Sequence, residues 1–270
     1  MGEAVSDEQP GYWAGHSHAD LVQRCAALHA QRRQLVEQQA IIEIHAVRRT
    51  VADIFITGKG VEVGAGARPF PIPAHAECYY GDVLDADALA RYFGTSDVRL
   101  SGAIDARTME GVPEDSLDFV ISAHVIEHLP DPLGAIEAAI RRLKPGGVLL
   151  LVVPEMQKTW DRTRPPTTLS HAIADYADGG EGTRLQAYIE HTRYVHTVLT
   201  GVTVPEDEVE PASRRIMAAG MDIHVHAWRA QDFRELLDYA APRFGFAVAH
   251  QLESINEALF VLRRSAGVDR

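Results

Sequence analysis

The sequence predicts an α/β protein built on a mostly parallel sheet, and three observations predict it. The strand pattern Val61-Glu62-Val63 runs directly into the glycine turn Gly64-Ala65-Gly66, a sequence that suits the lip of a parallel sheet. Further apolar runs at 76–82, 98–104 and 117–122 alternate with helical patterns, and the first two end in Asp82 and Asp105. Lys144-Pro145-Gly146-Gly147 then breaks a helix before the run 148–153. That run is apolar on both faces, as in a central strand covered by helices.

Taken in order, residues 1–17 are polar, with Tyr12-Trp13 as their only apolar feature, and read as a tail. From 19 to 54, Leu21, Val22, Cys25, Leu28, Leu35, Ile42 and Val51 recur at helical spacings. This predicts one or two helices beside the sheet, offering a homodimer contact. Strands and helices follow through 154. Beyond Pro154 the alternation lapses until about residue 222, too long a segment for a simple loop. Helices are expected at 168–176 and 183–199. The alternation resumes with a helix at 231–244, burying Phe233, Leu236, Leu237 and Ala240, and a hairpin of 246–253 with 258–263. The organisation expected is a tail and helical segment at 1–57, a core at 58–154, an inserted cap at 155–222 and the rest of the core at 223–270.

Composition narrows the partners. A formal charge of −12 and a pI near 5.5 argue against nucleic acid, whose binding needs a cationic footprint. The pairs Arg32-Arg33, Arg48-Arg49 and Arg141-Arg142 read as solvated helix faces. The apolar run 148–153 is too short to cross a bilayer, so no membrane partner is expected. Two cysteines, Cys25 and Cys78, make no disulfide framework or zinc site and suit a reducing cytoplasm.

The run Val61 to Gly66, with Asp82, Asp105, Asp115-Ser116-Leu117-Asp118-Phe119-Val120, Glu127-His128-Leu129 and Leu143-Lys144-Pro145-Gly146-Gly147, resembles class I S-adenosylmethionine-dependent methyltransferases. The likeness spans roughly 58–154 and departs at Arg68, where members often carry a third glycine. It implies a Rossmann-like sheet of seven strands, the last antiparallel, with S-adenosylmethionine as cofactor. It further implies that Glu62, Gly64 and Gly66 hold the methionine end, Asp82 the ribose hydroxyls, and Asp105 with the Ala106 backbone the adenine. Ser122 to His124 would face the methyl group.

Methyl transfer is an in-line displacement whose electronic work is mostly the cofactor's, so alignment and proton removal fall to the protein. Histidine suits proton removal near neutral pH, and His124 is the base expected from the sheet. Asp161, His171, His191, His196, His224 and His226 are a second set beyond it. His224 and His226 would share a side if extended. With Asp161 or His171 these two could hold a divalent metal, but a polar pocket wall is the preferred reading, so Asp161 and His226 are the catalytic candidates from this set and no metal is expected. The expected function is methylation of a small-molecule oxygen, such as a sugar or other biosynthetic metabolite. A non-methylating cyclase or partner subunit on the same fold is the alternative.

Overall fold

The computed structural model describes residues 17–266. The expected tail, with Tyr12-Trp13, lies outside them except for Ser17. Chain contacts divide the protein into one unit up to Ile44 and a second from His45 onward. In the first unit the chain is helical from His18, within the single helix α1 (His18–Phe55). Val22, Leu28, Leu35 and Ile42 stand exposed along it.

Among the described residues the second unit holds seven strands: β1 (Gly58–Val63), β2 (Ala76–Asp82), β3 (Gly102–Ala103), β4 (Leu117–Ala123), β5 (Leu143–Pro154), β6 (Phe246–Ser254) and β7 (Glu257–Arg264). Their order is β3-β2-β1-β4-β5-β7-β6. β1 to β5 pair in parallel, and β7 runs antiparallel to both β5 and β6. This is the Rossmann-like sheet expected. Strand order reverses between β1 and β4, so the ends of those strands open the crevice where such folds bind ligands. The third strand is shorter than the apolar run suggested, because only Gly102 and Ala103 pair with β2.

Helices α2 (Ala86–Phe93), α3 (Pro132–Arg142) and α8 (Ala230–Phe244) belong to the α/β core. Asp85 and Asp131 cap the first two by accepting from the Ala88 and Gly134 N–H groups, which relieves donors a helix start leaves unpaired. One face of the sheet packs Val120, Leu149, Leu151 and Phe260 against Ile136 and Ile140 of α3 and Phe233, Leu236 and Leu237 of α8. The other packs Ile121, Leu150 and Val152 against Val51, Ala52, Ile56 and Phe70.

Between β5 and α8 lie α4 (Leu169–Asp178), α5 (Arg184–Glu190), a π-helical turn at His191–Val195, α6 (His196–Thr200) and α7 (Glu206–Ala218). The single helix expected at 183–199 is therefore interrupted by the wider turn. The acidic run from Glu206 to Glu210 begins α7, where negative charge favours the helix dipole. Among the described residues no helix is long and apolar enough to cross a membrane.

Candidate active site

The crevice starts from two glycines. Gly64 and Gly66 have φ of +69° and +52°, a region that other residues enter only with strain. A Cβ on Gly64 would sit 2.4 Å from Val125 Cγ2, and one on Gly66 2.3 Å from the Phe93 ring. Glu62, expected beside them as a ligand contact, is buried, and its two oxygens accept the Phe70 N–H at 2.9 and 3.0 Å. It thus fastens the loop after the turn. Burial pushes its carboxyl up to about 7, against the opposing pull of the Phe70 N–H and the Arg48 charge.

Asp82 ends β2 as expected. Its Oδ1 accepts the Leu84 N–H at 2.9 Å, and Oδ2 has no hydrogen bond among the described residues. At Asp105, expected beside the adenine, Arg107 meets both carboxylate oxygens, at 2.6 to 3.0 Å. The ion pair holds its carboxyl below the usual range. Ala106 and Ser122 do come together, lining one narrow apolar cleft with Val63, Met109 and Ile126.

His124 follows β4 with φ of +56°, an uncommon conformation of the kind that collects at functional sites. Its Nε2 lies 2.9 Å from Glu257 Oε2 and its Nδ1 3.6 Å from Glu127 Oε1. Burial opposes charge on this ring, but the two carboxylates outweigh it and hold the imidazole up at about 9. A histidine charged at neutral pH has no lone pair for a proton, which counts against its expected role as base. Arg48 completes the network, bonded to Glu257 at 3.0 and 2.6 Å. Of the Arg48-Arg49 pair only Arg49 is largely solvated, because Arg48 turns inward to a buried carboxylate.

Beside it, Glu127 is buried with neither oxygen hydrogen-bonded. The His124 charge holds its carboxyl below the ordinary range despite burial, and His128 and His224 add to the effect. His128 pairs with Asp222 at 2.8 Å, and its ring meets that of His224 edge to face at 4.8 Å. His224 in turn places Nδ1 2.7 Å from Asp161 Oδ2. Asp161 is buried, and its Oδ1 receives Arg164 Nη1 at 3.2 Å. The same guanidinium holds the His224 and Val225 carbonyls at 2.7 and 3.2 Å and reaches Glu190 at 3.1 Å.

His226 lies apart from that group. It is buried, stacked on Trp228 at 5.1 Å between ring centres, with Asp175 and His171 as its neighbours. Burial, reinforced by the His171 charge, pushes it down to about 3. It is a wall rather than an exposed base. Asp161, His171 and His226 therefore do not converge; Asp161 orients His224, and Asp175 is the carboxylate that meets His171 and His226. Asp175 was legible as the i+4 partner of His171 on one helix face. A cavity of about 230 Å³ opens on these residues, lined by His128, His171, Thr183, Tyr188, Asp222 and His226 among others.

A family model described as a methyltransferase domain matches residues 16–251. The chain belongs to the methyltransferase domain family. A comparison with curated proteins returns no match. Similar solved structures include a methyltransferase from Thermotoga maritima, at 15% identity over 88% of this chain and 96% of that one, TM-score 0.47. Another, from Aquifex aeolicus, shares 14% identity over 80% and 88%, TM-score 0.44. This methyltransferase uses S-adenosylmethionine as methyl donor, and the positive-φ glycines with the unpaired Asp82 oxygen fit a cofactor bearing a ribose diol. Asp82→Ala is expected to weaken S-adenosylmethionine binding by roughly 10- to 100-fold, the worth of hydrogen bonds to a charged acceptor. Titration calorimetry reads this directly, and an unchanged affinity would remove Asp82 from the site.

Proposed function

We propose that this methyltransferase methylates a hydroxyl oxygen of a small molecule, with His224 as the proton acceptor. The observation that carries this reading is the His224–Asp161 contact at 2.7 Å beside the turn that follows β4. A buried carboxylate that accepts a hydrogen bond from Nδ1–H fixes the tautomer that leaves Nε2 with the free lone pair, the arrangement by which a histidine deprotonates an alcohol. The cofactor supplies an electrophilic methyl group. The protein's own work is to hold the acceptor, exclude water and receive its proton.

The cavity supports a small acceptor. At about 230 Å³ it falls below the roughly 300–1,000 Å³ of sites for drug-sized ligands. Its wall offers Tyr188, Thr183, Asp222, His128, His171 and His226, with His224 just behind the His128 ring, and Arg184 as its one arginine among the described residues, which suits a polyol such as a sugar and, with a net charge of −12, not a nucleic acid. We read 155–222 as the acceptor cap, since Thr183, Arg184, Ala187 and Tyr188 come from it. Two free thiols are consistent with a reducing cytoplasm.

The test is turnover. The protein is incubated with S-adenosylmethionine and a panel of monosaccharides, glycosides and phenols, and S-adenosylhomocysteine is measured by mass spectrometry. At least one neutral hydroxyl acceptor is expected to yield its methyl ether. Product only with amines or carbon acids would move the reaction off oxygen. Tight cofactor binding with no S-adenosylhomocysteine from any acceptor would favour a non-methylating role.

A further inference from the structure

His171 and Asp175 stand one turn apart on α4, and the chain after α7 brings His226 against them. His171 Nε2 and His226 Nε2 lie 3.3 and 3.6 Å from the same oxygen, Asp175 Oδ2. One potential ligand atom from each residue lies within 4.8 Å of the other two. Tetrahedral coordination with bonds of 2.0–2.2 Å sets its ligands roughly 3.3 Å apart. The three side chains thus stand close enough for small side-chain adjustments to bring one atom of each to that spacing.

Two features separate this group from an ordinary ion pair. Asp175 and His226 are both buried, yet Asp175 Oδ2 and His226 Nδ1 have no hydrogen-bond partner, while His226 Nε2 meets the Pro130 carbonyl at 3.4 Å, as the outer ring nitrogen of a ligating histidine commonly does. Buried polar atoms are seldom left so. Further, Asp175 Oδ1 accepts the Thr183 hydroxyl, which fixes the carboxylate while Oδ2 faces the imidazoles. Ligating carboxylates are commonly held this way by an outer hydrogen bond. Trp228 stacks on His226 and is itself buried against Phe233, so that ring too is set by packing.

We propose that His171, Asp175 and His226 form a binding site for a divalent first-row metal ion, with zinc as the best fit. Two imidazoles and one carboxylate suit zinc, and three protein ligands leave one position open. His171 and His226 also line the cavity, so the open position faces it. An oxygen of a molecule in the cavity would take that position; this role rests on the acceptor reading above, whereas metal binding does not. The sequence offers His224 and His226 with Asp161 or His171 as a ligand set; in the fold the carboxylate is Asp175 and His224 stands apart with Asp161.

The experiment uses full-length protein stripped with a chelator and dialysed, then titrated with zinc chloride by calorimetry and with cobalt chloride by visible absorption. About one equivalent of zinc is expected, with cobalt bands of low-symmetry coordination. Asp175→Asn and His171→Ala should each lower zinc affinity at least a hundredfold, and Thr183→Val about 10- to 100-fold through the outer hydrogen bond. Far-ultraviolet dichroism checks that the variants fold, and His171 is partly exposed on α4, so its removal is the gentler of the two. His224→Ala should leave zinc affinity unchanged. Absence of binding at about 100 µM zinc would overturn the site. Binding that survives Asp175→Asn and His171→Ala but fails in His224→Ala would also overturn it, by placing the ion at Glu127, His128 and His224. None of these readouts depends on an acceptor, so failure here is distinct from failure of the methylation reading.

Discussion

Asp161→Asn is expected to lower turnover by roughly 10²–10⁴ while S-adenosylmethionine affinity stays within about twofold. The carboxylate does two things at once. Its Oδ2 fixes the His224 ring through Nδ1 at 2.7 Å, and its Oδ1 engages Arg164 at 3.2 Å. Asparagine keeps the size but can offer an amide N–H in place of a charged acceptor, which favours the wrong tautomer of His224. His224→Ala should cost about as much, and the double variant little more, because the two act as a unit. The substitution also touches a buried charge, so dichroism at the assay temperature is needed beside the rate. Near-normal turnover in either folded variant would dismiss the pair as the proton acceptor and leave alignment as the mechanism.

Glu257→Gln should be the most destabilising single change at the sheet tip, by about 2–4 kcal/mol. The carboxylate is 1% exposed and joins two cations, Arg48 at 2.6 Å and His124 at 2.9 Å. Removing its charge leaves the mostly buried Arg48 without its carboxylate and His124 with Glu127 alone. At the sensitivity of a domain this size, melting should fall by about 5–15 °C, which calorimetry would show. The pH dependence carries a second signature. His124 rises from 6.5 to about 9 on folding, so its contribution is complete below about pH 6.5 and is lost as pH climbs toward 9. Glu257 is held below its ordinary value, so its contribution is complete at neutral pH and is lost on acidification. The variant should flatten both limbs. A melting point within 2 °C or so of wild type would mean solvent already screens the network.

How much of this was legible beforehand differs between fold and site. Val61-Glu62-Val63 before Gly64-Ala65-Gly66, and the doubly apolar strand beyond Gly147, fixed a parallel sheet because strand burial and turn conformation are local demands written into adjacent residues. Asp82 was readable for the same reason, since a strand end is a local place. The alternation also located α8 and the final hairpin to within a few residues.

The chemistry of the charged groups was not readable, because it depends on which residues distant in sequence come within 3 Å or so of each other. His124 resembled a free base until Glu257, which is 133 positions away, took its Nε2. Arg48 resembled a solvated cation until the same carboxylate turned it inward. Asp161 and His226 read as one constellation; folding gives Asp161 to His224 and His226 to Asp175 and His171. The sequence by itself determined the sheet, the glycine turn and the cofactor class, since these follow from short-range patterning. Only the tertiary structure decided which histidines are charged, which are buried and which carboxylate each one meets, since protonation and ligation are set by burial and by neighbours that the chain supplies from far away.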